Sequence, residues 1–312
     1  MAKILGIDTS NYTTSAALLD TDSMSFVQQK LLLPVKSGEK GIRQSDAVFH
    51  HTKQLPQMIE KVSAGIIPDG IGVSVKPRLA DGSYMPCFLV GEAAADMIGS
   101  VCGVTVDKTS HQIGHILAAL YSSGRLCYAR GDRPFASFHV SGGTTDLLLC
   151  RPDKDKLLEI ERIGGSNDLK AGQAIDRCGV MLGLSFPCGQ ELERLAIKCS
   201  RDFRIKPRVK EHECSLSGLE NQFIKMKNDG CSDEEIAGFC IQSVLEAVRA
   251  LTEDLYDSFG KMPVIYAGGV MSNRMIRDAL ESDERVFCEP ELSRDNAVGV
   301  AVYSALVKGL IG

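Results

Sequence analysis

A chain of 312 residues exceeds what one hydrophobic core usually fills, so two domains or lobes are expected. With 44% hydrophobic and 24% charged residues and a mean hydropathy of −0.01, the composition is that of an ordinary globular protein and excludes a disordered chain. A net charge of −5, no Trp and 6% aromatic residues argue against a chain that grips nucleic acid unaided through a broad basic face or a stacking platform. In chain order, Lys3 to Asp8 and Ser15 to Leu19 read as strand, polar turn and strand. Gln44 to Val62 has helical periodicity that Pro56 should start or kink, and Ile71 to Val75 reads as a buried strand. Phe88 to Cys102 reads as a helix with Val90, Ala93, Ala94 and Met97 on its apolar face, followed by a short strand, Val104 to Val106. Ser110 is placed to cap a helix through Leu120.

Arg130-Gly131-Asp132-Arg133-Pro134 is polar and rich in turn residues, which divides the chain into lobes 1–132 and 133–312. The second lobe opens as the first does, with Ala136 to Val140, the turn Ser141-Gly142-Gly143-Thr144-Thr145, and a strand to Cys150. Two such hairpins about 130 residues apart suggest an internal duplication. A strand at Leu158 to Ile163 follows, then helices near Ala171 to Leu182, Gln190 to Cys199, Leu216 to Met226 and Asp233 to Ser258. Pro263 to Ala267 is a strand ending in Gly268-Gly269, a helix begins at Asn273, and a last helix follows Asp295. Alternating strands and helices predict an α/β architecture.

Eleven cysteines at irregular spacing, with no C-x-x-C pair, fit neither a disulfide framework nor a zinc ribbon and read as buried thiols of a reducing, cytoplasmic compartment. An acid as early as Asp8 is foreign to a secretory signal, and no apolar run reaches the roughly 20 residues of a membrane span, so no membrane partner is expected.

The strongest chemical signal is His111-Gln112-Ile113-Gly114-His115, because residues four apart on a helix share a face and two imidazoles can then reach one metal ion. Gln112 stands where a zinc protease has its glutamate, which disfavours metalloproteolysis. A third ligand is required, and both Asp295, opening the last helix, and Asp8, ending the first strand, qualify. The Ser141–Thr145 turn presents backbone N–H groups of the kind that bind phosphate or carboxylate, although a tight hairpin uses the same residues. Gly268 to Asn273, between strand and helix, also suits an anion but is not a dinucleotide fingerprint. Asp176 lies within a predicted helix. Two local basic segments, Arg201 to Lys210 and Lys76 with Arg78, are candidates for phosphate contact or for solvated loops.

Taken in order, Gly6-Ile7-Asp8-Thr9-Ser10, His111 with His115, Ser141-Gly142-Gly143, Asp176, Pro187-Cys188-Gly189, Ser215-Leu216-Ser217-Gly218-Leu219, Gly268-Gly269-Val270 with Asn273, and Asp295-Asn296-Ala297 resemble the tRNA threonylcarbamoyladenosine transferase family, once called glycoproteases. The resemblance implies the two-lobed, duplicated actin/sugar-kinase/heat-shock-ATPase fold with a cleft between lobes. It further implies iron or zinc on His111, His115 and Asp295, and an acyl-adenylate or nucleotide held by Ser141, Gly142, Gly143, Thr144, Thr145, Asp176, Gly189 and Asn273. The implied reaction moves a threonylcarbamoyl group from its adenylate to the amine of an adenosine in tRNA, with accessory proteins (an inactive paralogue and a small ATPase in bacteria) as partners. Asp8 is assigned a catalytic role, steering the amine proton. The chain also departs from the family pattern, with Thr144 in place of a His, Gln173 and Ile175 in place of Glu and Phe, Lys76 to Pro86 in place of a Gly-Pro-Gly turn, Asn11-Tyr12-Thr13 in place of Cys-Asp-Glu, and Glu220 in place of a Lys. Those changes admit two other readings, a paralogue serving a different acceptor and a nucleotide-binding scaffold subunit.

Overall fold

A computed structural model describes residues 2–10, 12–34, 42–294 and 296–312. The chain divides into two compact units, Met1–Arg130 with Asp153–Leu158 and Glu291–Gly312, and Gly131–Pro152 with Glu159–Pro290. The break at Arg130/Gly131 falls inside the polar segment expected to separate the lobes, but the last 22 residues group with the first unit and not with the lobe 133–312. No helix among the described residues is long and apolar enough to cross a membrane.

The first unit contains β1 (Lys3–Asp8), β2 (Thr13–Asp20), β3 (Ser25–Leu32), α1 (Gln44–Ser63), β4 (Gly70–Lys76), α2 (Phe88–Cys102), β5 (Val106–Ser110) and α3 (His111–Ser122). Its sheet runs β3-β2-β1-β4-β5, with β1 antiparallel to β2 and parallel to β4. Side chains alternate across a strand, and here the alternation decides which helix covers which face. Leu5, Ile7, Ile71 and Val73 join Leu55, Met58 and Val62 of α1 and Ala95 of α2 in one buried cluster. Gly6 and Gly72 face the other way, where a Cβ would come within 2.1 Å of the Ala297 carbonyl oxygen and 1.9 Å of that of Val300. Only glycine there lets a helix backbone lie directly on the sheet.

Two expectations fail in part here. Pro56 does not start α1, which runs through it from Gln44 to Ser63. Its buried face of Ala47, His51, Leu55, Met58 and Val62 spans the proline, so packing outweighs the lost backbone hydrogen bond. The helix α2 has the expected limits but buries Phe88, Gly91, Ala95 and Gly99, leaving Met97 63% exposed. The glycines explain the choice, since a Cβ on Gly91 or Gly99 would meet Thr9 or Val106 at 2.8 and 2.6 Å, and the small face fits closest to the sheet.

The second unit contains β6 (Phe135–Val140), β7 (Thr145–Asp153), β8 (Leu157–Ser166), α4 (Ala171–Met181), α5 (Gly189–Ala196), β9 (Val209–Lys210), β10 (Glu213–Cys214), α6 (Gly218–Asn228), α7 (Asp233–Phe259), β11 (Val264–Ala267), α8 (Arg274–Leu280) and β12 (Arg285–Phe287). Its sheet order is β12-β11-β6-β7-β8-β10-β9. The run β8-β7-β6-β11-β12 repeats β3-β2-β1-β4-β5, with β6 antiparallel to β7 and parallel to β11, as β1 is to β2 and β4. The duplication suggested by the paired hairpins is therefore one of whole sheets. Phe138, Tyr266 and Phe287 stack across β6, β11 and β12 at 5.2 and 4.7 Å, and the buried Tyr266 hydroxyl pairs with Thr252 of α7 at 2.9 Å. The chain then returns to the first unit as α9 (Val298–Val307), buried on nearly every side.

Candidate functional site

Strands β1, β4 and β5 are parallel, so their C-terminal ends share one edge of the first sheet, where polar residues of α/β sheets collect. Asp8 ends β1 and is 1% exposed. Its Oδ1 accepts the Ser10 amide at 2.9 Å and the Ser74 hydroxyl of β4 at 2.9 Å, and its Oδ2 lies 2.7 Å from His111 Nδ1. His111 opens α3 directly after β5, under the Ser110 cap, whose hydroxyl accepts the Ile113 amide at 3.3 Å. One turn on, His115 Nε2 stands 2.9 Å from His111 Nε2, with the rings nearly perpendicular. With Asp8 as carboxylate, the proton of His111 sits on Nδ1 and its Nε2 lone pair points to His115.

That arrangement suits a metal ion. Both Nε2 atoms converge on one point, and a carboxylate orients the remaining nitrogen of the first imidazole, as it does for metal-bound histidines generally. Two nitrogens about 2.0–2.1 Å from a tetrahedral ion stand about 3.3 Å apart, so the histidines need open by only a few tenths of an ångström. Among the described residues no three His, Cys, Asp or Glu side chains form a metal cage. Asp295, the third ligand implied by the resemblance, lies outside the described residues. The start of α9 is held on α3, because a Cβ on Gly299 would fall 1.8 Å from the carbonyl oxygen of Gly114, the residue before His115. Asn296 secures the same segment, donating to the carbonyl groups of Leu292 and Arg294 at 3.0 and 2.9 Å and accepting the Gly299 amide at 3.2 Å.

In the second unit the Ser141–Thr145 turn joins β6 to β7 and is organised by its own first residue. The Ser141 hydroxyl accepts the Gly143 and Thr144 amides at 3.2 Å each and pairs with the Thr144 hydroxyl at 2.8 Å. The first turn of α4 rests on it, with the Ala171 amide donating to Thr145 Oγ1 at 2.9 Å and the Gly172 amide to the Ser141 carbonyl at 3.2 Å. Any side chain at Gly172 would meet Ser141 and Gly142 backbone at 2.6–2.7 Å. One turn along α4, Asp176 accepts the Cys188 amide at 2.9 Å and so ties the entry of α5 at Gly189 to α4. Burial and the Asp176 charge raise the pKa of the Cys188 thiol. Asn273 is 7% exposed and caps α8, its side-chain oxygen accepting the Ile276 amide at 3.1 Å. Glu193 of α5 accepts the Arg274 amide at 2.6 Å, linking α5 to the same helix start.

Of the residues expected to hold a nucleotide, the Ser141–Thr145 turn and Asn273 follow the C-terminal ends of β6 and β11, and hydrogen bonds link them to Asp176 in mid-α4 and to the start of α5 at Gly189. Ser74 and Glu193 were not anticipated. Ser74 leaves a trace, as the one hydroxyl in the apolar run Ile71 to Val75, whereas Glu193 on a charged amphipathic helix leaves none.

A family model described as TsaD, tRNA N6-adenosine threonylcarbamoyltransferase, matches residues 30–302. The tRNA N6-adenosine threonylcarbamoyltransferase of Streptococcus pneumoniae strain CGSP14 is 28% identical over 97% of this chain and 91% of its own length. Among solved structures, T. kodakarensis HypF superposes with a TM-score of 0.60 at 14% identity, over 99% of this chain and 47% of its own. A ROK family glucokinase from Streptomyces griseus does so with a TM-score of 0.53 at 12% identity, over 97% and 99%. These likenesses place the fold among the sugar kinases and their relatives, and the extent of the family match goes further: the chain belongs to the tRNA N6-adenosine threonylcarbamoyltransferase family.

Proposed function

We propose that the chain transfers a threonylcarbamoyl group from threonylcarbamoyl-adenylate to the N6 amine of an adenosine in tRNA. The observation that carries the reading is the Asp8–His111–His115 relay inside a family match that spans most of the chain. In the reaction the amine nitrogen bonds to the carbamoyl carbon, the bond from that carbon to the phosphate oxygen breaks, AMP leaves with the electron pair, and the amine gives up one proton.

His111, His115 and Asp295 would hold iron or zinc, a donor set that leaves positions open for substrate. Such an ion supplies Lewis-acid polarisation of the carbamoyl or phosphate oxygen. Asp8 keeps the proton of His111 on Nδ1. Its oxygens face Ser10, Ser74 and His111, so we assign it to orienting His111, beside the proton-steering role expected from sequence. The exposed Gly142–Gly143 turn, with open space where side chains would stand, would receive the adenylate phosphate, and α4, whose Ala171 and Gly172 amides are already bonded to that turn, would contribute the positive end of its dipole. Asp176, Gly189 and Asn273 would line the nucleoside side.

The test is a reconstituted reaction containing the metal-loaded chain, accessory proteins, threonylcarbamoyl-adenylate and tRNA lacking the modification. Mass spectrometry of the digested nucleosides should show threonylcarbamoyladenosine, and His115→Ala should abolish it. No modified nucleoside with every component present would sink the proposal and favour a different acceptor.

A further inference from the structure

Positive charge is unevenly placed along this acidic chain. Residues 194–210 hold seven Lys and Arg against one Asp, a net of +6 in a chain of −5, so the other 295 residues carry −11. The structure shows why these cations face outward. From Phe203 to Lys210 burial alternates, with Phe203, Ile205, Pro207 and Val209 half-buried and Arg204, Lys206, Arg208 and Lys210 exposed. The inner set is anchored on the second unit's core. Phe203 packs edge-on to Phe239 of α7 at 5.3 Å, its amide donates to Gln242 Oε1 at 3.2 Å, and its carbonyl accepts Gln242 Nε2 at 3.0 Å. Val209 packs against the same hydrophobic cluster. Fixing the apolar residues inward leaves the cations between them nowhere to point but out.

Elsewhere in this unit several arginines are paired with carboxylates, although the exposed Arg133 and Arg274 make no ion pair among the described residues. Arg151 pairs with Glu161, Arg162 with Asp146 and Glu213, Arg177 with Glu220, and Arg277 with Glu281 and Glu289. Within 194–210, among the described residues, only Arg201 has a comparable partner, Glu235 at 3.2 Å, while Lys210 approaches Glu211 at 3.5 Å with both side chains more than four-fifths exposed. Arg194 and Lys198, one turn apart on α5 and its extension, and Arg204, Lys206 and Arg208 make no ion pair among the described residues. Like charges on alternate residues of one exposed segment repel, a cost that a bound polyanion relieves. Blocking the sheet edge at β9 against pairing calls for a single lysine, not for a ridge of four exposed cations.

We infer that this ridge of Arg204, Lys206, Arg208 and Lys210, preceded in the chain by the exposed Arg194 and Lys198, binds RNA backbone phosphates. Its arginines suit bidentate phosphate binding, and the scarcity of aromatics leaves the ridge without stacking platforms, so it positions RNA without reading bases. Identifying that RNA as tRNA rests on the transfer reading above. The ridge also revises the conclusion drawn from net charge, because the acidic balance hides one locally basic surface.

The experiment compares the full-length chain with a triple variant, Arg204→Gln with Lys206→Gln and Arg208→Gln. Affinity for unmodified tRNA is measured across a KCl series, with heparin as a second polyanion. For every phosphate that the variant no longer neutralises, the slope of log K against log salt should flatten by about 0.7–0.9. The variant's slope should therefore fall by about 2–3, with at least a tenfold weaker affinity at low salt. In the transfer reaction its KM for tRNA should rise with kcat unchanged. A control variant, Lys53→Gln with Lys61→Gln on α1, should leave the slope as it was. An unchanged slope for the triple variant overturns the inference, and so does a loss confined to heparin. The two proposals separate cleanly. Transfer with a ridge-independent salt slope defeats only the ridge, whereas ridge-dependent tRNA binding without any threonylcarbamoyladenosine defeats only the transfer reading.

Discussion

Asp8 shows how much one buried carboxylate can determine. At the end of β1 it receives a backbone amide, a hydroxyl and an imidazole N–H. As an acceptor the carboxylate holds the His111 proton on Nδ1 and leaves the Nε2 lone pair facing His115. Replacing the carboxylate by an amide removes that bias, since an Asn can present either an oxygen or an NH2 to the ring. Asp8→Asn is therefore expected to fold normally and to weaken zinc or iron binding about 10–100-fold, the usual cost of losing an orienting partner of a ligating histidine. Competition with a chromophoric chelator measures it, and an unaltered metal affinity would show that Asp8 does not act through His111. The histidine pair was legible in sequence because helical spacing alone puts both rings on one face. The link from Asp8 to Ser74 was not, because it depends on β1 lying beside β4, a neighbour 66 residues away.

Elements are held in register by polar groups at their ends as much as by the core. The loop before α4 carries Asp168, whose carboxylate accepts the Ser215 hydroxyl at 2.5 Å and the amides of Leu216 and Ser217 at 2.9 and 3.3 Å. It thereby fastens the Ser215–Leu219 segment, the start of α6, to the start of α4. Desolvation would raise the Asp168 pKa, but the bonds from Ser215, Ser217, Leu216 and Leu169 together outweigh it and hold the carboxyl well below the ordinary range. A depressed folded pKa means that the stabilisation is complete above the unfolded value of about 3.9 and is lost as pH falls from there towards the folded value. Asp168→Asn should cost about 1 kcal/mol at pH 7, modest because the carboxylate is exposed, and the gap to wild type should narrow below about pH 4. Urea midpoints at pH 7 and pH 3.5 report both numbers, and a gap that widens in acid would contradict this account. At this scale sequence periodicity located α2 to the residue but set its inner face partly wrong, since Val90 and Ala94 pack against the core while Ala93 and Met97 are exposed. Both faces of α2 carry apolar residues, and the deciding term is how closely Gly91 and Gly99 let it approach Thr9 and Val106, a distance that exists only once the sheet does. The strands β3, β9, β10 and β12 are not predicted for a related reason, being edge or near-edge strands, three of them only two or three residues long, that gain their conformation from a neighbour.

The duplication is visible in the whole chain as two sheets built on the same order, but the two copies are closed differently. The first sheet depends on a helix supplied almost 200 residues after its last strand. Nine consecutive residues of α9, Val298 to Leu306, are buried, and its backbone lies on Gly6 and Gly72 with no side chain between. Burying Val298, Val300, Val302 and Leu306 is worth about 6–12 kcal/mol at roughly 1.5–3 kcal/mol each, comparable with the entire stability of a typical domain. Deleting residues 291–312 should therefore unfold the first unit, not merely loosen it. The second unit's hydrophobic cluster contains none of these residues and should survive the deletion. Hydrogen exchange followed by mass spectrometry would show amides of β1, β4 and α3 losing protection while those of β6, β11 and α7 keep it. Persistent protection of β1 and β4 would mean that the sheet is stable without its covering helix. Because the deletion removes both Asp295, the proposed third ligand, and the support that α9 gives α3 at Gly114 and Gly299, it should also abolish metal binding at His111 and His115, even in any fraction of molecules that keeps a folded sheet. The division of the molecule into units thus follows the packing of its faces, and the chain order of its strands predicts only half of it.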